Sequence, residues 1–145
     1  MHAEREMRPV LSILKWSASY SVGVAVLDAE HRRLFDLLNQ LYDSIIDGSA
    51  NSAKTAEILD QVLDFSIKHC DREEKMMAEA GYPGIAHLRE EHEHLRRSIE
   101  EFRLQLMRRR SISSELASFL MEWVLGHIMK EDKKCGAFLN AAGIH

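Results

Sequence analysis

The sequence has no hydrophobic run that approaches the roughly 20 residues a membrane-spanning helix needs. Its first residues, MHAEREMRPV, contain no apolar core of the kind that a secretion signal requires. Basic runs are missing too: 19 Lys and Arg stand against 23 Asp and Glu, for a net charge of -4. The Arg108 to Arg110 triplet is interpreted as a solvated helix end, where cations complement the helix dipole. We expect a cytoplasmic protein that binds neither membranes nor nucleic acid.

Proline and cysteine are scarce. The 2 prolines, Pro9 and Pro83, leave long helical patterns uninterrupted, and no strand-like alternation of polar and apolar residues is sustained. The 2 cysteines, Cys70 and Cys135, do not form a CxxC pair, which favours reduced thiols over a disulfide framework. No internal repeat is present. At 145 residues, the chain is expected to be a single domain with one hydrophobic core.

The apolar periodicity predicts an N-terminal arm and four helices. Asp28 is a good N-cap for the first helix, and Gly48 is a good C-terminal stop for it. Short connections between long helices make neighbours antiparallel, so we expect an all-α, up-down-up-down four-helix bundle. Within residues 1–145, the predicted arm is about 1–27, and the helices are about 28–48, 52–80, 84–110 and 112–138.

One histidine lies on the apolar stripe of each predicted helix. Imidazole is a poor core residue unless its nitrogens are satisfied, and a metal ion satisfies them. Antiparallel packing brings all four histidines to the same end of the bundle, together with two inward carboxylates. The residue pattern therefore predicts a buried metal site whose candidate ligands are His31, His69, His92, His127, Glu73 and Asp132.

The spacing of these residues indicates more than one ion. His69 and Glu73 are related by i,i+4 and face the same ion, whereas the neighbouring Glu74 is expected to point away. His127 and Asp132 are five positions apart, which on a regular helix turns the carboxylate away from its own histidine and toward a neighbouring ion. Such a mixed nitrogen and oxygen set exceeds what one tetrahedral zinc needs and suits two iron or manganese ions.

Several segments together resemble a bacterial hemerythrin. They are WSASYSVGVAVLDAEHRRLFDLLNQLYD, HCDREEKMMAEAGYP, the cluster from His87 to His94, and HIMKEDKKC. The resemblance covers nearly the whole chain from Trp16 onward. It implies two non-haem iron ions inside a four-helix bundle that binds O2 reversibly. It also implies that His31 and His69 hold one iron, that His87, His92 and His127 hold the other, and that Glu73, Asp132 and an oxo or hydroxo group bridge the pair.

The third helix departs from the family pattern. The family spaces its histidine pair as H-x3-H, whereas four residues separate His87 from His92 here. Side chains five positions apart lie about 140° apart on a regular helix, and the stripe places Leu88 inward instead. We expect a local π-type turn between Leu88 and Glu91 that brings His87 to the metal. Glu91 or a water molecule is the alternative ligand, and His94 is expected at the surface.

The two cysteines are a second departure, because Cys70 and Cys135 stand where aromatic residues are common in the family. A thiol beside a site that handles oxygen is open to redox sensitivity, and the alternative reading is a small buried hydrophobe.

Three classes of function are compatible with these features. The leading prediction is O2 binding for storage, delivery or sensing, without enzyme activity, because the predicted site is rich in histidine and apolar residues. The second is a di-iron redox enzyme acting on peroxide, nitric oxide or ferrous iron, and the third is a module that iron merely stabilises. Ferritin-like oxidases use two E-x-x-H units. The chain offers one such unit, Glu91 to His94, so that subclass is disfavoured.

Overall fold

The computed structural model describes residues 14–46, 52–109 and 114–145, and all of its regular elements in these ranges are helical. A single turn of 3-10 helix, Ala18–Tyr20, precedes the bundle. The fourth long helix contains a π-helical segment in its middle, so it is described in three parts. The helices are α1 Ala25–Ile46, α2 Ser52–Glu79, α3 Ile85–Arg109, α4 Ser114–His127, the π segment Ile128–Asp132, and α5 Lys133–Ala141.

The helices form the predicted four-helix bundle. Helix α1 packs against α2 and α4, and α3 also packs against α2 and α4, so that each long helix has its chain neighbours beside it. Apolar residues at helical spacing supply the core, which the fully buried Leu38, Leu59, Met77 and Ile99 exemplify. Among the described residues, no helix combines the length and the apolar character that crossing a bilayer requires. Gly48 and Arg110, which were expected near helix ends, lie outside the described residues.

Helix α1 begins three residues before the predicted start, so the assignment of Asp28 as an N-cap is wrong. Asp28 lies in the first turn of the helix and ties down the arm instead. Its carboxylate accepts hydrogen bonds from Ser21 Oγ at 2.6 Å and from the Val22 amide at 2.8 Å. Because the arm contributes these donors, its end is joined to the helix that carries His31.

The rest of the arm packs against α1 and α5. Leu14 exchanges two hydrogen bonds with the Asn39 side chain, at 3.0 and 2.9 Å. At the other end, the backbone of Val22 runs so close to α5 that a Cβ added to the buried Gly136 would lie 1.8 Å from the Val22 carbonyl oxygen. Glycine is therefore required at position 136 by close backbone approach.

The connection from α2 to α3 is a Schellman motif centred on Gly81. This glycine has a φ of 74°, which a side chain would disfavour. The Tyr82 amide donates to the Met77 carbonyl at 2.9 Å, and the Gly81 amide donates to the Ala78 carbonyl at 3.1 Å. This turn reverses the chain, so that the first turns of α3 lie beside the C-terminal half of α2, which carries His69 and Glu73.

Candidate metal centre

Six of the seven predicted ligands lie together in the interior of the bundle. Their exposed fraction is 9% or less, and it is 0% for His31, Glu73 and Asp132. Helix α1 supplies one imidazole, α2 an imidazole and a carboxylate, α3 one imidazole, α4 one imidazole, and the π segment one carboxylate. These side chains are His31 on α1, His69 and Glu73 on α2, His92 on α3, His127 on α4, and Asp132 in the π segment.

The six residues form two donor sets that share both carboxylates. The first set adds His31 and His69 to Glu73 and Asp132, and in it all donor atoms lie within 4.8 Å of one another. The second set adds His92 and His127 to the same two carboxylates and meets the same 4.8 Å limit. Two imidazoles on each side of a shared carboxylate pair is an arrangement for two adjacent ions.

The π segment aligns His127 with Asp132. On a regular α-helix, residues five apart diverge, but one turn of π-helix has a period near five and brings them to the same face. His127 Nε2 consequently lies 2.9 Å from Asp132 Oδ1. The expectation that this carboxylate turns away from its own histidine is wrong. Asp132 faces both donor sets, since its Oδ2 also lies 2.9 Å from His31 Nε2.

Helix α3 contains no π turn. It is α-helical throughout Ile85–Arg109, so the prediction of a π-type turn between Leu88 and Glu91 is wrong. The π turn lies in the last helix instead. Leu88, one turn before His92, is 1% exposed and occupies the inward position. His87 is 60% exposed and belongs to neither central donor set. The structure thus brings one histidine of α3, and not two, to the centre.

Two carboxylates that were not predicted to belong to the centre contact the outer nitrogens of His69 and His92. His69 Nδ1 lies 2.9 Å from Glu30 Oε1. The other oxygen of this carboxylate, Glu30 Oε2, accepts a hydrogen bond from Arg72 Nε at 2.8 Å. His92 Nδ1 lies 2.8 Å from Glu74 Oε2, so Glu74 does not point away as expected. Carboxylates in this position fix the imidazole tautomer and orientation.

The sequence carried a weak signal for these two residues, because each directly adjoins a predicted ligand. Glu30 precedes His31, and Glu74 follows Glu73. Each of them, however, serves a histidine on a different helix, and this pairing depends on how the helices pack. Trp123 adds a third orienting contact, since its ring stacks on His127 at 5.1 Å between centroids and 10° between planes.

The charges of the centre shift its pKa values strongly. Burial by itself lowers the pKa of His69, but contacts with Asp132 and Glu30 outweigh it and raise the pKa to about 10. Burial also lowers the pKa of His92, but contacts with Cys70 and Glu73 outweigh this effect and raise the pKa to about 11. Without metal, these imidazoles therefore hold protons at neutral pH, and a cation must displace those protons.

The two shared carboxylates behave differently from each other. Burial opposes ionisation of Asp132, yet the charge of His127 and contacts with the surrounding imidazoles hold its pKa well below the ordinary value. Burial and the nearby charge of Asp132 raise the pKa of Glu73. One carboxylate thus stays ionised while its neighbour resists ionisation, as expected when two acids share one site.

Several buried polar atoms at the centre have no hydrogen-bond partner. Most of these atoms belong to the shared carboxylates and to His127. His127 Nε2 and Asp132 Oδ1 are close, but their contact lacks hydrogen-bonding geometry, so both count as unsatisfied. Buried polar atoms without partners are costly, and a metal ion at the centre would take up the lone pairs of the carboxylate oxygens and of His127 Nε2. The residues therefore fit a metal pair. The unpartnered atoms are His31 Nδ1, Glu73 Oε2, His127 Nδ1 and Nε2, and Asp132 Oδ1 and Oδ2.

A small cavity of about 10 Å³ adjoins the donors. Apolar side chains form most of its wall together with the imidazoles of His31, His69 and His127. That volume is close to one water-sized sphere, so the cavity has room for a very small ligand only. The apolar part of the lining includes Leu34, Leu95, Trp123, Val124 and Ile128.

Both cysteines are buried and free. Burial and the nearby charge of Glu73 raise the pKa of the Cys135 thiol far above its ordinary value. A thiol that cannot ionise is a poor nucleophile, so the reading of Cys135 as a small buried hydrophobe is favoured. Cys70 differs because it contacts His92 and borders a larger cavity between α2 and α3.

Comparisons with known proteins agree with this geometry. The sequence pattern of the hemerythrin HHE cation binding domain matches residues 22–139. A bacteriohemerythrin of Stenotrophomonas maltophilia is 33% identical over 123 residues, which cover 85% of this chain and 79% of that protein. A bacteriohemerythrin of Methylococcus capsulatus is 26% identical over 133 residues, which cover 90% of this chain and 100% of that protein. A crystal structure of wild-type hemerythrin superposes with a TM-score of 0.80 at 26% identity, covering 87% of this chain and 97% of that one.

Proposed function

From the premise that this chain belongs to the hemerythrin HHE cation binding family, we propose that its centre holds two non-haem iron ions. One ion is held by His31 and His69, the other by His92 and His127. Glu73 and Asp132, together with an oxo or hydroxo group, bridge them. The observation that carries this proposal is the pair of overlapping donor sets, which share both carboxylates. Imidazole and carboxylate donors in this mixture suit iron, and the large share of imidazole sets the centre apart from ferritin-like cores.

We propose reversible O2 binding, for storage, delivery or sensing, as the function of this centre. Two ferrous ions held by these residues would supply the electrons that such binding needs. The protein orients the imidazole ligands and excludes bulk water from the site. Glu30 and Glu74 hold His69 and His92 in place, and the apolar wall of the small cavity keeps bulk water from the donors.

No side chain in the cavity wall needs to act as an acid or base for this function. The lining residues are imidazoles committed to metal, apolar side chains, Ser66, Cys70 and Asp132. The cavity size favours a diatomic ligand over a larger substrate. The free, buried cysteines suit the reducing cytoplasm that we propose as the location of the protein.

A second candidate, a di-iron redox enzyme, is favoured by one observation. Leu88 occupies the inward position one turn before His92, and His87 faces solvent, so the ion held by His92 and His127 has two imidazoles. An ion with fewer protein ligands has a further coordination position for water or a second reactant. This feature favours turnover of peroxide or nitric oxide over simple storage.

An anaerobic oxygenation cycle tests the proposal. The reduced protein should contain two irons per chain, develop a visible absorption band with O2, and lose it under vacuum with both irons ferrous again. The variant His69→Ala should lose iron and the band, whereas the surface variant His94→Ala should keep both. A metal content near one per chain, or zinc alone, would contradict the di-iron proposal. Rapid irreversible oxidation would favour the redox enzyme.

A further inference from the structure

A third group of metal-binding side chains lies outside the centre. His87, Glu91 and Glu131 bring one donor atom each within 4.8 Å of one another, and we call these three residues the outer cluster. His87 Nε2 lies 3.4 Å from Glu131 Oε1 and 3.8 Å from Glu91 Oε1. None of the three residues belongs to either central donor set.

Two elements build the outer cluster. His87 and Glu91 are one turn apart near the start of α3, so their side chains share one face of that helix. Glu131 comes from the π segment, immediately before Asp132. Asp132 points into the centre, whereas Glu131 meets the face of α3 that carries His87.

Glu131 is a buried carboxylate without a cationic partner of its own. Its side chain is 7% exposed, and within the described ranges no Lys or Arg nitrogen comes within 4.0 Å of it. Among the described residues, the imidazole of His87 is its one ionic contact, and the Glu91 carboxylate adds a second negative charge nearby. A buried anion is costly unless it is paired or bound to a metal, and a second carboxylate beside it increases that cost.

We propose that the outer cluster is a third, solvent-accessible site for a divalent cation. One imidazole and two carboxylates are ligands that Mn²⁺, Fe²⁺ and Zn²⁺ accept. A cation with two positive charges balances both carboxylates, which a single imidazole cannot do. Because His87 is 60% exposed, water completes the coordination, and the ion exchanges with solvent more readily than ions in the buried centre.

Manganese binding to the iron-loaded, oxidised full chain tests the outer cluster. Loss of free Mn²⁺ signal in electron paramagnetic resonance should show one Mn²⁺ bound per chain beyond the two irons. Losing an orienting partner of a metal ligand costs about 10- to 100-fold in affinity, and losing a ligand should cost at least as much. His87→Ala and Glu91→Gln should therefore weaken Mn²⁺ binding by at least that range, and the surface controls His94→Ala and Glu90→Gln should not.

A second measurement uses the iron-loaded protein, in which the central donors are already occupied and Mn²⁺ has only the outer cluster to bind. Paramagnetic Mn²⁺ at low occupancy should broaden the imidazole proton signals of His87 more than those of His94. No Mn²⁺ bound beyond the irons, or binding equal in wild type and His87→Ala, would overturn the third site and leave an ion pair between His87 and the carboxylates. Two irons without a third cation would contradict this inference alone, whereas a chain that takes up no iron, yet binds Mn²⁺ more weakly after His87→Ala, would contradict the proposed function alone.

Discussion

His127 Nε2 and Asp132 Oδ1 lie 2.9 Å apart because one π-helical turn, Ile128–Asp132, separates the two residues. The π turn adds one residue to the helical period, so an i,i+5 pair faces the same way. This single backbone feature delivers Asp132 to a position between His31 and His127, where it belongs to both donor sets. The turn thus lets one helix supply both an imidazole and a carboxylate that the two donor sets share.

Removing the charge of Asp132 should remove metal from both sides of the centre. Asp132→Asn keeps the side-chain shape but replaces one carboxylate oxygen by an amide that cannot ligate. We expect iron, measured by elemental analysis, to fall from two ions to less than about one per chain. Glu122→Gln changes an exposed carboxylate of α4 and is the matched control. Full iron retention in Asp132→Asn would contradict the bridging role.

Glu30 and Glu74, which contact the imidazoles of His69 and His92, should contribute less to metal affinity than the shared carboxylates but more than carboxylates at the surface. Glu73→Ala should abolish iron retention, because Glu73 belongs to both donor sets. Glu74→Ala frees the His92 ring and Glu30→Ala frees the His69 ring, so each should weaken metal binding about 10- to 100-fold in a chelator competition assay. Glu79→Ala, an exposed site on α2, should leave binding unchanged. Equal behaviour of Glu74→Ala and Glu79→Ala would show that orientation by Glu74 is unimportant.

Metal uptake should release protons. The pKa of His69 is raised to about 10 and that of His92 to about 11 in the metal-free fold, above the ordinary value of about 6.5. At pH 7 both imidazoles carry a proton that a metal displaces, so we expect about one proton from each, and metal affinity that rises with pH until the pH passes these values. Calorimetry in buffers of different ionisation enthalpy measures the release, which should decrease as the pH rises through about 10 to 11.

The same pKa shifts set the pH dependence of the metal-free fold. A raised histidine pKa contributes stability that is fully present below about pH 6.5 and is lost as the pH rises through the folded value. The metal-free protein should therefore become less stable between about pH 6.5 and 10, while the iron-loaded protein should not follow this trend. Denaturation midpoints of the two forms that fall in parallel over this range would contradict the assignment.

Replacing Leu88 should restore a third imidazole to the ion held by His92 and His127. Leu88 is 1% exposed and one turn before His92, so Leu88→His places a second imidazole of α3 at the inward position. The variant should hold iron more tightly against chelators, yet its metal-free form should lose about 1 to 3 kcal/mol in free energy of unfolding, because a polar ring is buried without a partner. His87→Ala should leave the two central irons in place. If His87→Ala releases iron from the centre, His87 is a ligand after all.

Two glycines should respond to alanine in opposite directions. Gly136→Ala forces a methyl group against the Val22 carbonyl and should cost about 1 to 3 kcal/mol or more in the free energy of unfolding. Gly126 lies within helix α4, and a Cβ there meets nothing within 4 Å. Gly126→Ala should therefore add about 0.5 to 1 kcal/mol through helix propensity. Denaturant titration of the metal-free variants separates the two outcomes, and a stable Gly136→Ala would contradict the packing of the arm on α5.

Periodicity in the sequence was enough to predict the bundle and most of its centre. Apolar residues recur at helical spacing in four segments, and His31, His69, Glu73, His92 and His127 fall in phase with them. Phase along a regular helix depends on the sequence alone, because every residue advances the helix by the same angle. The inward placement of these five residues therefore followed from counting positions.

Tertiary structure decided what regular geometry does not predict. The π turn lies at Ile128–Asp132, and no residue pattern distinguished that segment from Leu88–Glu91, where the turn was expected. Contacts between helices likewise assign Glu30 to His69, Glu74 to His92, and His87 to Glu131. Such pairings depend on how the helices are rotated and shifted against one another. The sequence by itself thus determined which residues face inward, whereas packing determined which of them meet.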